Sequence, residues 1–133
     1  LTPIVLLTIN LTAADMSSIL IVAIGHDLRV SLRKALEIEG FTVYTSPTGR
    51  NALDLLQGIS PSAIILDNDI SPALMGSGEF ISSLKNIDHL KDIPIILMTL
   101  KDGKCDVSQV QGSVYKPVDI PKLLELLKQF KKK

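Results

Sequence analysis

The chain carries one cysteine, Cys105, and no tryptophan. A lone thiol excludes a disulfide framework and any zinc site built from several cysteines. With no Cys or His neighbour in sequence, Cys105 reads as a free thiol. Two tyrosines and three phenylalanines are the whole aromatic complement, and 14 basic side chains are matched by 14 acidic ones. Nucleic-acid-binding modules are usually basic, so no nucleic-acid partner is expected. No run of about 18 charge-free apolar residues is present either. The most apolar stretch, Leu1 to Val22, is interrupted by Pro3, Asn10, three threonines and Asp15. It lacks the basic start of a secretory signal, so no membrane partner is expected.

What is present is a folding composition. Hydrophobic residues make up 46% of 133 residues, enough for one packed domain. Sparse cysteine fits a reducing compartment, and cytoplasmic localisation is the expectation.

Hydrophobic patterning alternates strand and helix five times. Ile19 to Ile24 is a continuous apolar run, rich in β-branched residues and suited to a strand buried on both faces. Gly25-His26-Asp27 then turns the chain, with Asp27 as expected N-cap. Leu28, Val30, Leu32, Ala35, Leu36 and Ile38 recur at helical spacing up to Gly40. Phe41 to Thr45 reads as a second strand, and Pro47 and Thr48 open a second helix ending near Gly58. Ala63 to Leu66 is a third buried strand that runs into Asp67-Asn68-Asp69. Phe80, Ile81 and Leu84 mark a third helix. Ile93 to Thr99 is a fourth strand, Ser113 to Tyr115 a short fifth, and Ile120 to about Phe130 a last helix with Pro121 in its first turn. The pattern predicts an α/β fold, a doubly wound five-stranded parallel sheet of flavodoxin-like type. Chemistry in such folds sits at the carboxyl ends of the strands.

Met16 precedes the first strand directly. Residues 1–15 therefore read as an N-terminal extension (an extra strand or an upstream segment), and residues 16–133 as the domain. Pro3-Ile-Val-Leu-Leu-Thr8 matches Pro94-Ile-Ile-Leu-Met-Thr99 position for position. Both are apolar strand sequences; alternatively the first is the trace of a second domain of the same type. Either could add to a sheet edge, in cis or between chains, which leaves a homodimer open.

Three strand ends carry polar groups. Asp67 follows four apolar residues, Thr99 ends the fourth strand, and Lys116 follows the fifth. A carboxylate, a hydroxyl and an ammonium there can converge on one oxyanion, with Lys116 stabilising charge on an acyl phosphate and Thr99 binding one of its oxygens. A solvated Asp–Lys pair with an incidental threonine is the plainer alternative.

With these residues the sequence resembles the receiver domain of two-component response regulators. The resemblance spans Ser17 to the C-terminus and rests on the Ile19–Val22 strand, Asp67, Thr99 and the Lys116-Pro117 dipeptide, with Gly40-Phe-Thr-Val and Pro61 in agreement. It implies Asp67 as phosphoacceptor, Thr99 and Lys116 as phosphate-contacting residues, and Tyr115 near an aromatic switch position. For Tyr115, an edge-strand residue half-buried against the last helix is the alternative. A histidine kinase in that family phosphorylates the aspartate with Mg²⁺, held by an acidic pair after the first strand. Here Ala23 and Ile24 stand at that pair, so no metal ligands are expected there and Mg²⁺ binding is doubtful. His26 reads as a solvated turn residue, and neutral imidazole is a poor Mg²⁺ ligand. Pro72 lies five residues after Asp67 and four after Asn68. The family spacing is four, so either the loop has an extra residue or Asn68 takes the acceptor position. Only seventeen positions separate Thr99 from Lys116, and the family's fourth helix is expected to be shortened or missing.

The function expected is that of a stand-alone, divergent pseudo-receiver. It would act through protein contacts, with a sensor histidine kinase or a downstream signalling protein as partner and no enzymatic activity. The alternative is a working phosphoacceptor at Asp67, with Asp69 or a partner supplying metal oxygens. A small-molecule-binding flavodoxin-like domain ranks lower, because Gly25-His26-Asp27 has one glycine. No Ser-His-Asp arrangement supports a hydrolase. The basic end, Gln129 to Lys133, reads as a solvated helix terminus, with an acidic partner as the weaker reading.

Overall fold

The computed structural model describes residues 17–101 and 107–130. The elements in chain order are β1 (Ser18–Val22), α1 (His26–Ile38), β2 (Thr42–Ser46), α2 (Gly49–Leu55) and β3 (Ala63–Asp67). A 3-10 turn at Pro72–Leu74 follows, then α3 (Ser77–Lys85), β4 (Ile95–Thr99), β5 (Gly112–Tyr115) and α4 (Ile120–Lys128). The strands form one all-parallel sheet in the order β2-β1-β3-β4-β5. This is the expected doubly wound arrangement, with four α-helices among the described residues. Residues 1–16, with the Pro3–Thr8 repeat and Met16, lie outside the described residues, as does Cys105.

The three central strands are apolar on both faces, and each face has its own core. Ile19, Ile21, Ala63, Ile65, Ile96 and Met98 pack with Leu32 and Leu36 of α1 and Leu123 and Leu127 of α4. Leu20, Val22, Ile64, Leu66, Ile95 and Leu97 pack with Ala52 of α2 and Phe80, Ile81 and Leu84 of α3. Strand alternation sorts the residues between the two cores.

The helix boundaries follow local chemistry, with two corrections. Asp27 is not the N-cap of α1. The helix begins earlier, at His26, with Gly25 as a cap that has no side chain to offer, and the Arg29 amide already bonds to the Gly25 carbonyl. The Asp27 carboxylate thus lies inside the first turn, where it still favours the helix dipole. Ile38 does not join the core; it is 83% exposed in the last turn of α1, because two residues past Leu36 is about 200° of rotation, towards the opposite helix face. Thr48 caps α2 by accepting the Asn51 amide at 3.0 Å. Asp119 caps α4, with Pro121 in its first turn.

The link from β4 to β5 is short. Residues 100–101 and 107–111 form no helix. Gln111 closes it like a clasp: its backbone amide donates to the Ile95 carbonyl and its side-chain oxygen accepts the Ile95 amide, at 2.9 and 2.7 Å. On β5, Val114 joins the α1–α4 core, while Ser113 and Tyr115 point to the other face and are exposed.

Gly49 opens α2 directly beneath the backbone of Met75. Met75 is a buried residue with a left-handed φ of 73°. A Cβ on Gly49 would collide with the Met75 carbonyl oxygen, whereas one on Gly78 in α3 would meet open space. Backbone cannot retreat as a flexible side chain does. Gly49→Ala is expected to destabilise the fold by about 1–3 kcal/mol. Gly78→Ala is expected to stabilise it by about 0.5–1 kcal/mol, through the lost entropy of an unfolded glycine. Urea unfolding of the two variants checks the contrast.

Candidate functional site

The carboxyl ends of β1, β3, β4 and β5 form one edge of the sheet, and the strand order reverses direction between β1 and β3. Asp67 is the last residue of β3 and only 3% exposed. Two donors hold its Oδ1: the Lys116 ammonium at 2.6 Å and the backbone amide of Asp69 at 2.9 Å. The second contact folds Asp67-Asn68-Asp69 back on itself and brings the Asp69 carboxylate to the same ammonium, Oδ2 to Nζ 3.0 Å. Lys116 therefore bridges two carboxylates from one turn. Burial by itself would lower the Lys116 pKa. The hydrogen bonds and charges of Asp67 and Asp69 outweigh it and hold the ammonium above its ordinary value.

Lys116 reaches this place through the backbone. β5 pairs with β4 as far as Thr99 opposite Tyr115, and the Lys116 amide then donates to the Thr99 carbonyl at 2.9 Å. The Lys116–Pro117 peptide bond is cis. Thr99 is buried at the end of β4, but its hydroxyl donates to the Leu100 carbonyl at 3.3 Å. The sheet register sets Asp67 opposite Met98, so Thr99 lies one residue beyond the carboxylate. The structure thus brings Asp67 and Lys116 together and adds Asp69. It leaves the Thr99 hydroxyl turned to its own chain. Tyr115 is not half-buried against the last helix. It is 53% exposed, on the face of β5 opposite Val114. Asn68 is half-buried and its side-chain oxygen accepts the Ser77 hydroxyl at 2.9 Å, which ties the loop to the start of α3. The strand-end carboxylate bonded to the lysine is that of Asp67.

The positions after β1 have a different chemistry. Ala23 is fully buried and Ile24 is 54% exposed. Their carbonyl oxygens accept from one nitrogen of Arg29, Nη1, at 2.7 and 2.9 Å. A guanidinium reaching back from the first turns of α1 thus holds the β1–α1 connection. His26, exposed at the start of α1, touches none of the site groups just named.

Mg²⁺ needs several hard oxygen donors in octahedral order. Here both available carboxylates are engaged by Lys116, Ala23 and Ile24 bring no side-chain oxygen, and their carbonyls are occupied by a cation. No cluster of three His, Cys, Asp or Glu is present among the described residues. Among the described residues the oxygen donors at this edge are thus the Asp67 and Asp69 carboxylates, with no acidic pair after β1. Neither Asp69 as a partner of Lys116 nor Arg29 as a loop anchor emerges from sequence reading. The signals were an Asp two residues after a strand-end Asp, a turn-forming spacing, and an Arg one turn into the helix.

The polar-differentiation response regulator DivK of Brucella anthropi is 30% identical over 111 residues, which cover 79% of this chain and 89% of that protein. Among solved structures, the signal receiver domain of a signal transduction histidine kinase from Syntrophus aciditrophicus superposes with a TM-score of 0.78 at 26% identity, covering 87% of this chain and 90% of that one. The chemotaxis response regulator CheY4 of Vibrio cholerae gives 0.76 at 24% identity, covering 86% and 98%. No family model matches the chain.

The lysine bridge has a measurable consequence. Lys116→Met leaves the buried Asp67 carboxylate without its cation and is expected to cost about 2 kcal/mol of stability at neutral pH. The folded pKa of Lys116 is raised, so its contribution is complete below the unfolded value of 10.5 and is lost as pH rises through the higher folded value. The stability difference between wild type and Lys116→Met, followed by urea unfolding into the alkaline range, should be flat below 10.5 and shrink above it.

Proposed function

The chain belongs to the response-regulator receiver domains of two-component signalling, and from that premise we propose that it is a divergent receiver whose Mg²⁺-dependent phosphorylation at Asp67 is weak or lost. It acts through contacts with protein partners, a sensor histidine kinase or a downstream signalling protein, in the cytoplasm. The observation that carries this reading is the engagement of Arg29 with the Ala23 and Ile24 carbonyls, where a metal-binding receiver needs acids. Phosphoryl transfer to a carboxylate gathers negative charge at one point. A divalent cation normally offsets that charge. Here one lysine already shared by two carboxylates is the only cation bonded to Asp67 among the described residues. No helix among the described residues is long and apolar enough to cross a membrane.

A second reading keeps the phosphoacceptor. It is favoured by the burial of Asp67 at a strand end with a lysine on its carboxylate, a placement suited to holding an acyl phosphate. Two measurements separate the readings. Incubation with Mg²⁺ and acetyl phosphate, followed by intact mass, is expected to show little or no phosphoryl adduct; abundant modification, abolished in Asp67→Asn, supports the working phosphoacceptor. Calorimetric titration of Mg²⁺ is expected to show no binding to the wild type. It should show millimolar or tighter binding to the Ala23→Asp/Ile24→Asp variant, in which two hard oxygen donors are restored.

A further inference from the structure

A second polar concavity lies on the other flank of β1. β3, with Asp67, adjoins β1 on one side and β2 on the other. On the β2 side, His26, Arg29, Val30, Arg33 and Thr45 line a cavity of about 210 Å³. The four α1 residues recur at three- and four-residue spacing, so they share one helix face. Thr45 adds a hydroxyl from the end of β2, one residue before Ser46, whose carbonyl accepts the Ala23 amide.

The charges of this cavity are fixed and only partly compensated. The two carbonyls on Nη1 orient the Arg29 guanidinium without neutralising it, and among the described residues they leave its Nε and second terminal nitrogen unspent. No carboxylate lies within ion-pair distance of Arg29 among the described residues. Arg33 spends Nε on Glu37 at 3.2 Å, in an exposed pair that competes weakly. Both of its terminal nitrogens remain among the described residues. Asp27, the acid of the same helical turn, does not line the cavity. A planar carboxylate is satisfied by the fork of one guanidinium. Two guanidinium groups, an imidazole and a hydroxyl approaching from a helix and a strand match a tetrahedral anion with three terminal oxygens.

We propose that this cavity binds a phosphate group, carried by a small phosphomonoester or by free phosphate, at a site separate from Asp67 and independent of its phosphorylation. The organic part of a monoester would leave through the open side of the cavity. Arg29 would then couple the ligand to the β1–α1 connection, because the same guanidinium holds the Ala23 and Ile24 carbonyls.

The test is a titration of the nitrogen-15-labelled chain with inorganic phosphate, phenyl phosphate and acetate, read by amide and arginine Nε shifts. Saturable shifts at Gly25 to Arg33 and Thr45 are expected from both phosphates and not from acetate. Arg33→Gln should weaken the Kd about tenfold. Glu37→Gln, which frees Arg33, should tighten it about twofold. Both positions are on the exposed face of α1, so both variants fold. Tighter binding of phenyl phosphate than of phosphate assigns the site to a monoester, and equal binding assigns it to the free ion. Non-saturating shifts, shifts confined to the Asp67–Lys116 region, an unchanged Kd in Arg33→Gln, or acetate binding as tightly as phosphate would overturn the proposal.

Discussion

One ammonium group organises the polar edge of this molecule. Lys116 stands after an edge strand, yet its side chain reaches the centre of the sheet, where it meets Asp67 at the end of β3 and Asp69 in the turn beyond. Asp67 is nearly inaccessible, and a buried carboxylate without a cation is costly. The lysine removes that cost and fixes the turn that presents the second acid. The strand end, the turn after it and the start of the chain leading to α4 thus share one electrostatic contact. Its charge is already unbalanced, with two carboxylates on one ammonium. A phosphoryl group would add more negative charge there, and Ala23 and Ile24 after β1 carry no carboxylate.

The β1–α1 connection shows what stands in place of that acid pair. Ala23 extends the α1–α4 core by one residue, and Ile24 turns outward. The backbone carbonyls so exposed are taken by Arg29. The contact joins one side-chain cation to two backbone oxygens, and it ties the end of β1 to the first turns of α1.

Much of the fold was legible in the sequence because a sheet buried on both faces demands uninterrupted apolar runs. Ile19 to Val22, Ala63 to Leu66 and Ile95 to Met98 could hardly be anything else, and the polar residues that end the second and third runs, Asp67 and Thr99, mark the functional edge. Asp67 and Lys116 were legible for the same reason. The contacts of Thr99 were not, because they depend on register: Asp67 lies opposite Met98, a fact of strand pairing that no single strand reports. Asp69 and Arg29 depend on how a turn and a first helical turn fold back. Such contacts are decided by geometry over two to six residues and leave little trace in composition. The cap of α1 was misplaced on Asp27 because a good capping side chain was present and a glycine did the work instead.

The clasp at Gln111 bears on how this architecture tolerates change. Two hydrogen bonds to Ile95 set the start of β5, and the Lys116 amide on the Thr99 carbonyl sets its end. The register of the edge strand is therefore dictated from both termini by β4, and the length of chain between them does not enter. Closing a longer excursion between fixed points adds only a slowly growing entropic term, about 0.6 kcal/mol per doubling. The stretch between β4 and β5 is accordingly the part of the domain where evolution, or an engineer splicing in a reporter peptide, can alter length while the lysine beyond it keeps its address.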